Sequence, residues 1–517
     1  MSKPTIILTA AVAAAAYGAQ ASAATCADML KLALPDTKIT TAETVSGTFA
    51  PPGPQGPGPG AAGFKVPEIC RVAGVVTPKI KFEVWLPTSA AWNGRLQSVG
   101  GGGLAGIISY PALALAVNAG FASASTDTGH EASPADSGWV DERQRVIDYG
   151  YRAIHEMTLK AKAVIDAYYG KSPQYSYFNG CSTGGRQGLM EAQRFPNDYD
   201  GIISGAPVNT FTRLHMGQLW TARATLAEPN SVLTRDDFAL VTKAVLAQCD
   251  AADGVSDGIL TDPRTCGFKP QQLACSSAKT ESCLQPGEVK ALDMIYQGAR
   301  NPRTGVQIYP GLERGGEAPQ PGNPGWGMIM NGKEPFSIDN AVIGGMGFRN
   351  PNWDWKTFDF DKDVATVDAK LFGVLNAVDP DLRDFKSHGG KLIIYHGWSD
   401  PGVMPQRTVD FYQEIVDYAS KAQGVDGRAY TSDYARLFMM PGMGHCRGGN
   451  GPDDADWMGA IMNWVEHGSA PNVITARKVQ DGKTTMTRPL CPHPQAARYK
   501  GKGDTNDAAN FECAAPK

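Results

Sequence analysis

The chain has 517 residues, a formal net charge of −4 and ten cysteines. So small a net charge gives no broad basic field, which excludes nucleic acid and anionic membrane surfaces as expected partners. The length exceeds what one small core needs, so the expectation is one large domain carrying an insertion, or two domains.

At the N-terminus Lys3 precedes an uncharged run, Ile6 to Ala16, and the small-x-small pattern Ala21-Ser22-Ala23. This pattern predicts a signal peptide over 1–23 and a secreted or periplasmic protein. No later stretch approaches the roughly 20 apolar residues of a membrane span. An even number of cysteines in an exported chain predicts disulfides, and the absence of any C-x-x-C pair argues against zinc or iron–sulfur binding.

Pro51 to Gly60 is too rich in proline and glycine for a helix or central strand and is expected to be an exposed loop. Strands are predicted at Ile80 to Pro87, at Leu96 to Val99 leading into Gly100 to Gly103, and at Phe121 to Ser125. Ile154, Met157, Ala161, Ile165 and Tyr168 fall at helical spacing within a helix from Asp148 to Tyr169. A strand at Tyr175 to Phe178 and a helix from Gly185 to Arg194 follow. Strand alternating with helix implies a parallel sheet. From about Thr210 to Leu382 the rhythm weakens, then resumes in strands at Lys391 to Tyr395 and Arg436 to Met440. The expected organisation is a core over 24–208 and 379–517, interrupted over 209–378 by an insertion at the ligand-binding edge, where it would act as a lid.

Gly180-Cys181-Ser182-Thr183-Gly184 matches G-x-S-x-G with a predicted strand before it and a predicted helix after it. A serine hydroxyl is a weak nucleophile at neutral pH, so it must sit exposed on a tight turn with a base in reach. Gly254 to Gly258 repeats the bare pattern around Ser256 but lacks that context. The acid and then the histidine should follow in the chain. Asp400 stands just beyond the strand Leu392 to Tyr395, with Asp410 and Asp379 as lesser candidates, and His445 just beyond Arg436 to Met440. The other histidines, His396 and His215 among them, lack this strand-then-loop position or precede the expected acid. For the oxyanion hole the candidate donors are the N–H of Thr183, which follows the nucleophile, and that of Gly103. Cys181 adjoins the nucleophile and Cys446 the histidine, so a working triad brings the two cysteines together as a disulfide. Asp250, Asp253 and Asp257, with the carbonyls of Val255 and Ile259, form a glycine-punctuated set of hard oxygens suited to Ca2+, without EF-hand spacing, and a solvated acidic turn is the alternative reading.

Cys181-Ser182, Asp400 and His445-Cys446 resemble the CS-D-HC arrangement of the tannase and feruloyl esterase family. Trp92-Asn-Gly-Arg95, Arg194 to Gly201 and Arg488-Pro-Leu-Cys491-Pro extend the likeness over the mature chain. The resemblance implies an α/β-hydrolase fold, a lid between nucleophile and acid, and a lid Ca2+ on the five residues just named. It also implies the pairings Cys26–Cys70, Cys249–Cys266, Cys275–Cys283 and Cys491–Cys513. The implied activity is hydrolysis, through an acyl-enzyme, of esters of aromatic acids, feruloyl esters foremost, with gallate and hydroxyethyl terephthalate esters as alternatives. The implied partner is a small aromatic ester, free or attached to plant polysaccharide or polyphenol. Trp326 to Gly332, with Ile329 in place of an aromatic, is the expected substrate-facing lid stretch, and Arg349 the nearby arginine. The non-enzymatic alternative is a calcium- or carbohydrate-binding module that keeps the fold.

Overall fold

The computed structural model describes residues 24–52, 63–133, 136–330 and 332–515. The expected signal peptide and most of the Pro51 to Gly60 loop lie outside the described residues. The framework is a nine-stranded sheet built from β1 (Thr37–Phe49), β2 (Phe64–Val76), β3 (Ile80–Pro87), β4 (Arg95–Val99), β5 (Ala122–Thr126), β6 (Tyr175–Cys181), β7 (Gly201–Gly205), β8 (Lys391–Gly397) and β9 (Ala435–Met440). Their spatial order is β1-β2-β3-β5-β4-β6-β7-β8-β9. The pairs from β1 through β3 to β5 are antiparallel, and every pair from β5 to β9 is parallel. Because β4, β6, β8 and β9 run the same way, the loops after their C-terminal ends open on one edge of the sheet, where open α/β sheets bind ligands.

The period of two along the central strands explains the layering. Phe178, Ile202, Leu392 and Leu437 face one way and join Ile154, Met157 and Ile165 of helix Ala153–Tyr169. Tyr177, Ile203, Ile393 and Phe438 face the other way and meet Ile461 and Trp464 of helix Trp457–His467. Both faces are covered, as a parallel sheet requires. This is the α/β-hydrolase architecture expected from the sequence.

Two differences concern elements with weak patterns. β1 and β2 form a long antiparallel pair that was not expected; most of β1 faces solvent, so its apolar alternation is faint. Asp148–Arg152, expected as ordinary α-helix, is a π-turn, and the regular helix starts at Ala153.

Between β7 and β8 the chain leaves the sheet. Helices Phe211–Leu226, Arg235–Cys249, Pro286–Gln297 and Asp363–Leu375 build a core from Leu214, Phe238, Leu292, Trp326 and Leu371. Val403 and Met404 from beyond β8, and Leu104 and Tyr149 from the first half of the chain, complete that core. The insertion is therefore packed onto the edge of the sheet where the loops after β4, β6, β8 and β9 open. All ten cysteines are paired as expected: Cys26–Cys70, Cys181–Cys446, Cys249–Cys266, Cys275–Cys283 and Cys491–Cys513. No helix among the described residues is long and apolar enough to cross a membrane.

Candidate active site

Ser182 sits between β6 and helix Thr183–Arg194 with φ 63° and ψ −122°. A non-glycine residue there costs roughly 1–3 kcal/mol and persists only where the surroundings hold it. Here the Ser182 N–H donates to the Gly205 carbonyl at 2.9 Å, and its carbonyl accepts from Arg186 N at 3.1 Å. The flanking glycines are needed for close approach: a Cβ on Gly180 would lie 2.6 Å from the Gly184 backbone. Ser256, in the second sequence match, lies in an irregular loop with neither strand nor helix adjoining it.

Asp400 and His445 arrive from the loops after β8 and β9. His445 Nδ1 and Asp400 Oδ2 are 2.7 Å apart. Asp400 is buried, and its other oxygen accepts from the N–H groups of Gly402 at 2.8 Å and Val403 at 2.9 Å. Burial works to raise the Asp400 pKa, but the charge of His445 and the hydrogen bonds from His396 and His445 hold it well below the usual carboxylate range. Burial likewise works to lower the His445 pKa, and the Asp400 charge and hydrogen bond outweigh it, so the imidazole is raised above 6.5. The lesser candidates are engaged elsewhere, Asp410 with Gln406 at 2.6 Å and Asp379 with the Asp381 N–H at 3.0 Å.

Cys181–Cys446 joins the two loops, with Cα atoms 6.1 Å apart. Ser182 and His445 line one pocket of about 420 Å³. Its walls are mostly apolar, with Val208, Phe211, Leu214, Met328, Phe336 and Ile338 among them. The aromatic walls from the insertion are thus Phe211 and Phe336, and of the stretch Trp326 to Gly332 only Met328 reaches the pocket among the described residues. Ile329 is buried in the insertion's core and Arg349 is not at the pocket.

The glycine loop after β4 lies against the Ser182 turn. The Gly103 carbonyl accepts from Thr183 Oγ1 at 2.6 Å and from the Tyr149 hydroxyl at 2.9 Å, while Gly101 N–H donates to Gln187 at 3.0 Å. Gly102, Gly103 and Thr183 all line the pocket, and their N–H groups have no acceptor among the described residues.

His396 was passed over in the sequence, yet its Nε2 lies 3.0 Å from Asp400 Oδ2 and 3.1 Å from the Val403 carbonyl. Both neighbours are acceptors, so this nitrogen carries the proton. The signal available was its place four residues before Asp400.

In the acidic loop, Asp250 accepts from Gly258 N–H, Asp253 from Val255 N–H and Thr261, and Asp257 from Ile259 N–H and from Arg488 Nη2 at 2.6 Å. Burial, followed by the charges of Asp253 and Asp250, raises the Asp257 carboxyl despite Arg488. Three carboxylates against one contacting cation is the chemistry of a hard divalent cation's donor set. Their side-chain oxygens are not drawn together, however. Among the described residues the group of three such ligands lying within 4.8 Å of one another is His155, Glu191 and Asp198.

A parallel sheet with a serine elbow after one strand, and an acid and a histidine after two others, defines an α/β hydrolase. The chain belongs to the tannase and feruloyl esterase family, whose model matches residues 64–514, and it is a carboxylic ester hydrolase. It is 37% identical to an uncharacterized esterase of Xanthomonas campestris pv. campestris, over 98% of this chain and 93% of that one. It is 34% identical to the mono(2-hydroxyethyl) terephthalate hydrolase of Piscinibacter sakaiensis, over 88% of this chain and 86% of the relative. The crystal structure of feruloyl esterase B from Aspergillus oryzae superposes with a TM-score of 0.84 at 26% identity, covering 95% of this chain and 99% of that one.

Proposed function

We propose that this esterase hydrolyses esters of phenolic aromatic acids, feruloyl esters foremost, with Ser182 as nucleophile, His445 as general base and Asp400 as its orienting carboxylate. The observation that carries the reading is the strained Ser182 turn sharing a pocket with a histidine fixed by a buried carboxylate. Asp400 accepts from Nδ1–H and so leaves Nε2 of His445 as the base. Nε2 takes the Ser182 proton as Oγ attacks the ester carbonyl. The N–H groups of Thr183 and Gly103 stabilise the oxyanion. Collapse of the tetrahedral intermediate expels the alcohol, which leaves with the proton from His445. Water then attacks the acyl-enzyme in the same way, releasing the acid and restoring Ser182.

The apolar walls suit an aromatic acyl group, and residues 209–378 serve as the lid that closes over it. Among the described residues no lysine or arginine lines the pocket, which disfavours an acyl group ending in a free carboxylate. The loop of Asp250, Asp253, Val255, Asp257 and Ile259 holds a structural Ca2+ whose role is to neutralise the carboxylates. Five disulfides fit an oxidising compartment, and the pattern over 1–23 exports the chain.

The test compares methyl ferulate, methyl gallate and mono(2-hydroxyethyl) terephthalate side by side, with fluorophosphonate labelling to identify the nucleophile. The expected result is the highest kcat/KM on methyl ferulate and labelling at Ser182. Preference for the terephthalate ester, or labelling elsewhere, would overturn the reading.

A further inference from the structure

We infer that His215, held by Asp339, reads a phenolic hydroxyl on the acyl group and so sets the acid specificity of this esterase; the inference rests on the proposed aromatic ester reading. His215 lies on helix Phe211–Leu226, is 3% exposed, and lines the same pocket as Ser182 and His445. Its Nδ1 is 2.8 Å from Oδ1 of Asp339, a residue with no exposed surface. Its Nε2 is buried and has no hydrogen-bond partner among the described residues. A buried polar atom without a partner is costly, so an orphan nitrogen in the lining of a ligand pocket marks a place where a ligand atom completes the bond.

The chemistry of that atom follows from its neighbour. A neutral imidazole carries one N–H, and the carboxylate of Asp339 takes it at Nδ1. Nε2 is then a bare lone pair, an acceptor. Gln218, three residues on and so on the same side of the helix, repeats the pattern. Gln218 also lines the pocket; its Nε2 donates to the Gly402 carbonyl at 2.7 Å, which leaves its Oε1 as the free acceptor, and that oxygen too is buried without a partner among the described residues.

Two acceptors in an apolar pocket with aromatic walls call for a ligand that is a ring bearing O–H donors. A phenol satisfies this. A carboxylate does not, since it would present acceptors to acceptors. A methoxy group in place of the hydroxyl also fails, because it has no proton to give. Sites built to bond a hydroxyl discriminate strongly against analogues that lack it, because the site's own polar atoms are then left unpaired.

The test measures kcat and KM for methyl 4-hydroxycinnamate, methyl 4-methoxycinnamate, methyl cinnamate and monomethyl terephthalate in the wild type and in His215→Leu, His215→Gln and Asp339→Asn. Fluorophosphonate labelling of Ser182 certifies a folded, competent triad in each. The wild type is expected to favour the 4-hydroxy over the 4-methoxy ester by about tenfold or more in kcat/KM, what one buried hydrogen bond supplies, with most of the difference in KM. In His215→Leu the ratio collapses towards one. His215→Gln, which returns a carbonyl acceptor to the same reach, restores part of it. In Asp339→Asn the side-chain amide donates to Nδ1, the ring proton moves to Nε2, and the preference turns toward the 4-methoxy ester. A wild type indifferent to the hydroxyl, a preference that survives His215→Leu, or a preference for the terephthalate monoester would each overturn the assignment. Failure of the wild type on every aromatic ester, with Ser182 still labelled, would instead count against the aromatic ester reading itself.

Discussion

His396 and Asp400 stand four residues apart where β8 ends, and Nε2 of the first lies 3.0 Å from Oδ2 of the second, the same oxygen that meets His445. His396 is fully buried, and its Nδ1 is 2.8 Å from the Thr408 hydroxyl. Asp400 is thus fixed from both sides, by two backbone N–H groups on Oδ1 and by two histidines on Oδ2. His396 does not itself line the pocket, so it acts on the reaction through the carboxylate as a positioning residue.

Replacing His396 by Leu should therefore lower kcat about tenfold, because a hydrogen bond to a charged group contributes about 1.5–3 kcal/mol and only part of that reaches the transition state. KM should change little. Stopped-flow or steady-state assays on methyl ferulate, with a melting curve to certify the fold, check this. An unchanged kcat in a folded variant would mean that the Gly402 and Val403 N–H groups alone fix the carboxylate.

How far the sequence carried depends on whether a residue's partner is near in the chain. The strand, turn and helix around Ser182 were legible because they are contiguous, and the loop positions of Asp400 and His445 because each follows a strongly apolar strand. The Cys181–Cys446 bond followed from the triad itself. His215 was not legible, since its partner Asp339 lies 124 residues away and nothing local marks either as pocket residues. Phe336 was missed for the same reason, and the expectation settled on Trp326 to Gly332 instead. Trp326 turns into the insertion's core against Phe238 and Tyr296, a contact that no periodicity announces. β1 escaped because Thr, Glu and Ser fill its solvent face.

The triad also sets a pH dependence. In the proposed mechanism His445 must be neutral to accept the Ser182 proton. Its folded pKa is raised above 6.5 by Asp400, against the opposing effect of burial, so kcat/KM should fall as the pH drops through a midpoint above 6.5. Asp400→Asn removes the charge that raises it. The acid limb should then move to lower pH while turnover falls by about 10⁴-fold, the cost of the wrong tautomer. A pH–rate profile of both forms gives the answer, and an acid limb that stays in place would show that the titrating group is not His445.

Cation removal should act on stability before chemistry. Asp250, Asp253 and Asp257 lie in the insertion, and Arg488, from the C-terminal hairpin, bonds Asp257. If the proposed Ca2+ is bound there, stripping it leaves three carboxylates facing one guanidinium. Chelation should therefore lower Tm by several degrees, and added Ca2+ should restore it, with kcat at 25 °C nearly unchanged. Asp253→Asn should lower Tm and blunt the response to chelator. Equal melting curves with and without chelator would remove the ion from the account, and an immediate loss of kcat at constant Tm would move it to the reaction.

The Cys181–Cys446 bond offers a test of what holds the base to the nucleophile. It spans 265 residues of chain, which in the loop-entropy account restricts the unfolded state by about 5 kcal/mol as an upper figure. It also joins two strained residues' surroundings directly, since Ser182 and Cys446 both have φ near 63°. Catalysis falls steeply when reacting groups move by about 1 Å. Replacing both cysteines by alanine should thus lower Tm and reduce kcat by about tenfold or more, while KM changes less, because Cys181 and Cys446 line the pocket only beside the triad and most of its apolar wall comes from Val208, Phe211, Leu214, Phe336 and Ile338 on other segments. Peptide mapping of the unreduced wild type should recover the two loops as one linked species. A double variant with lowered Tm and full kcat would mean that packing alone places His445, leaving the bond a purely stabilising role.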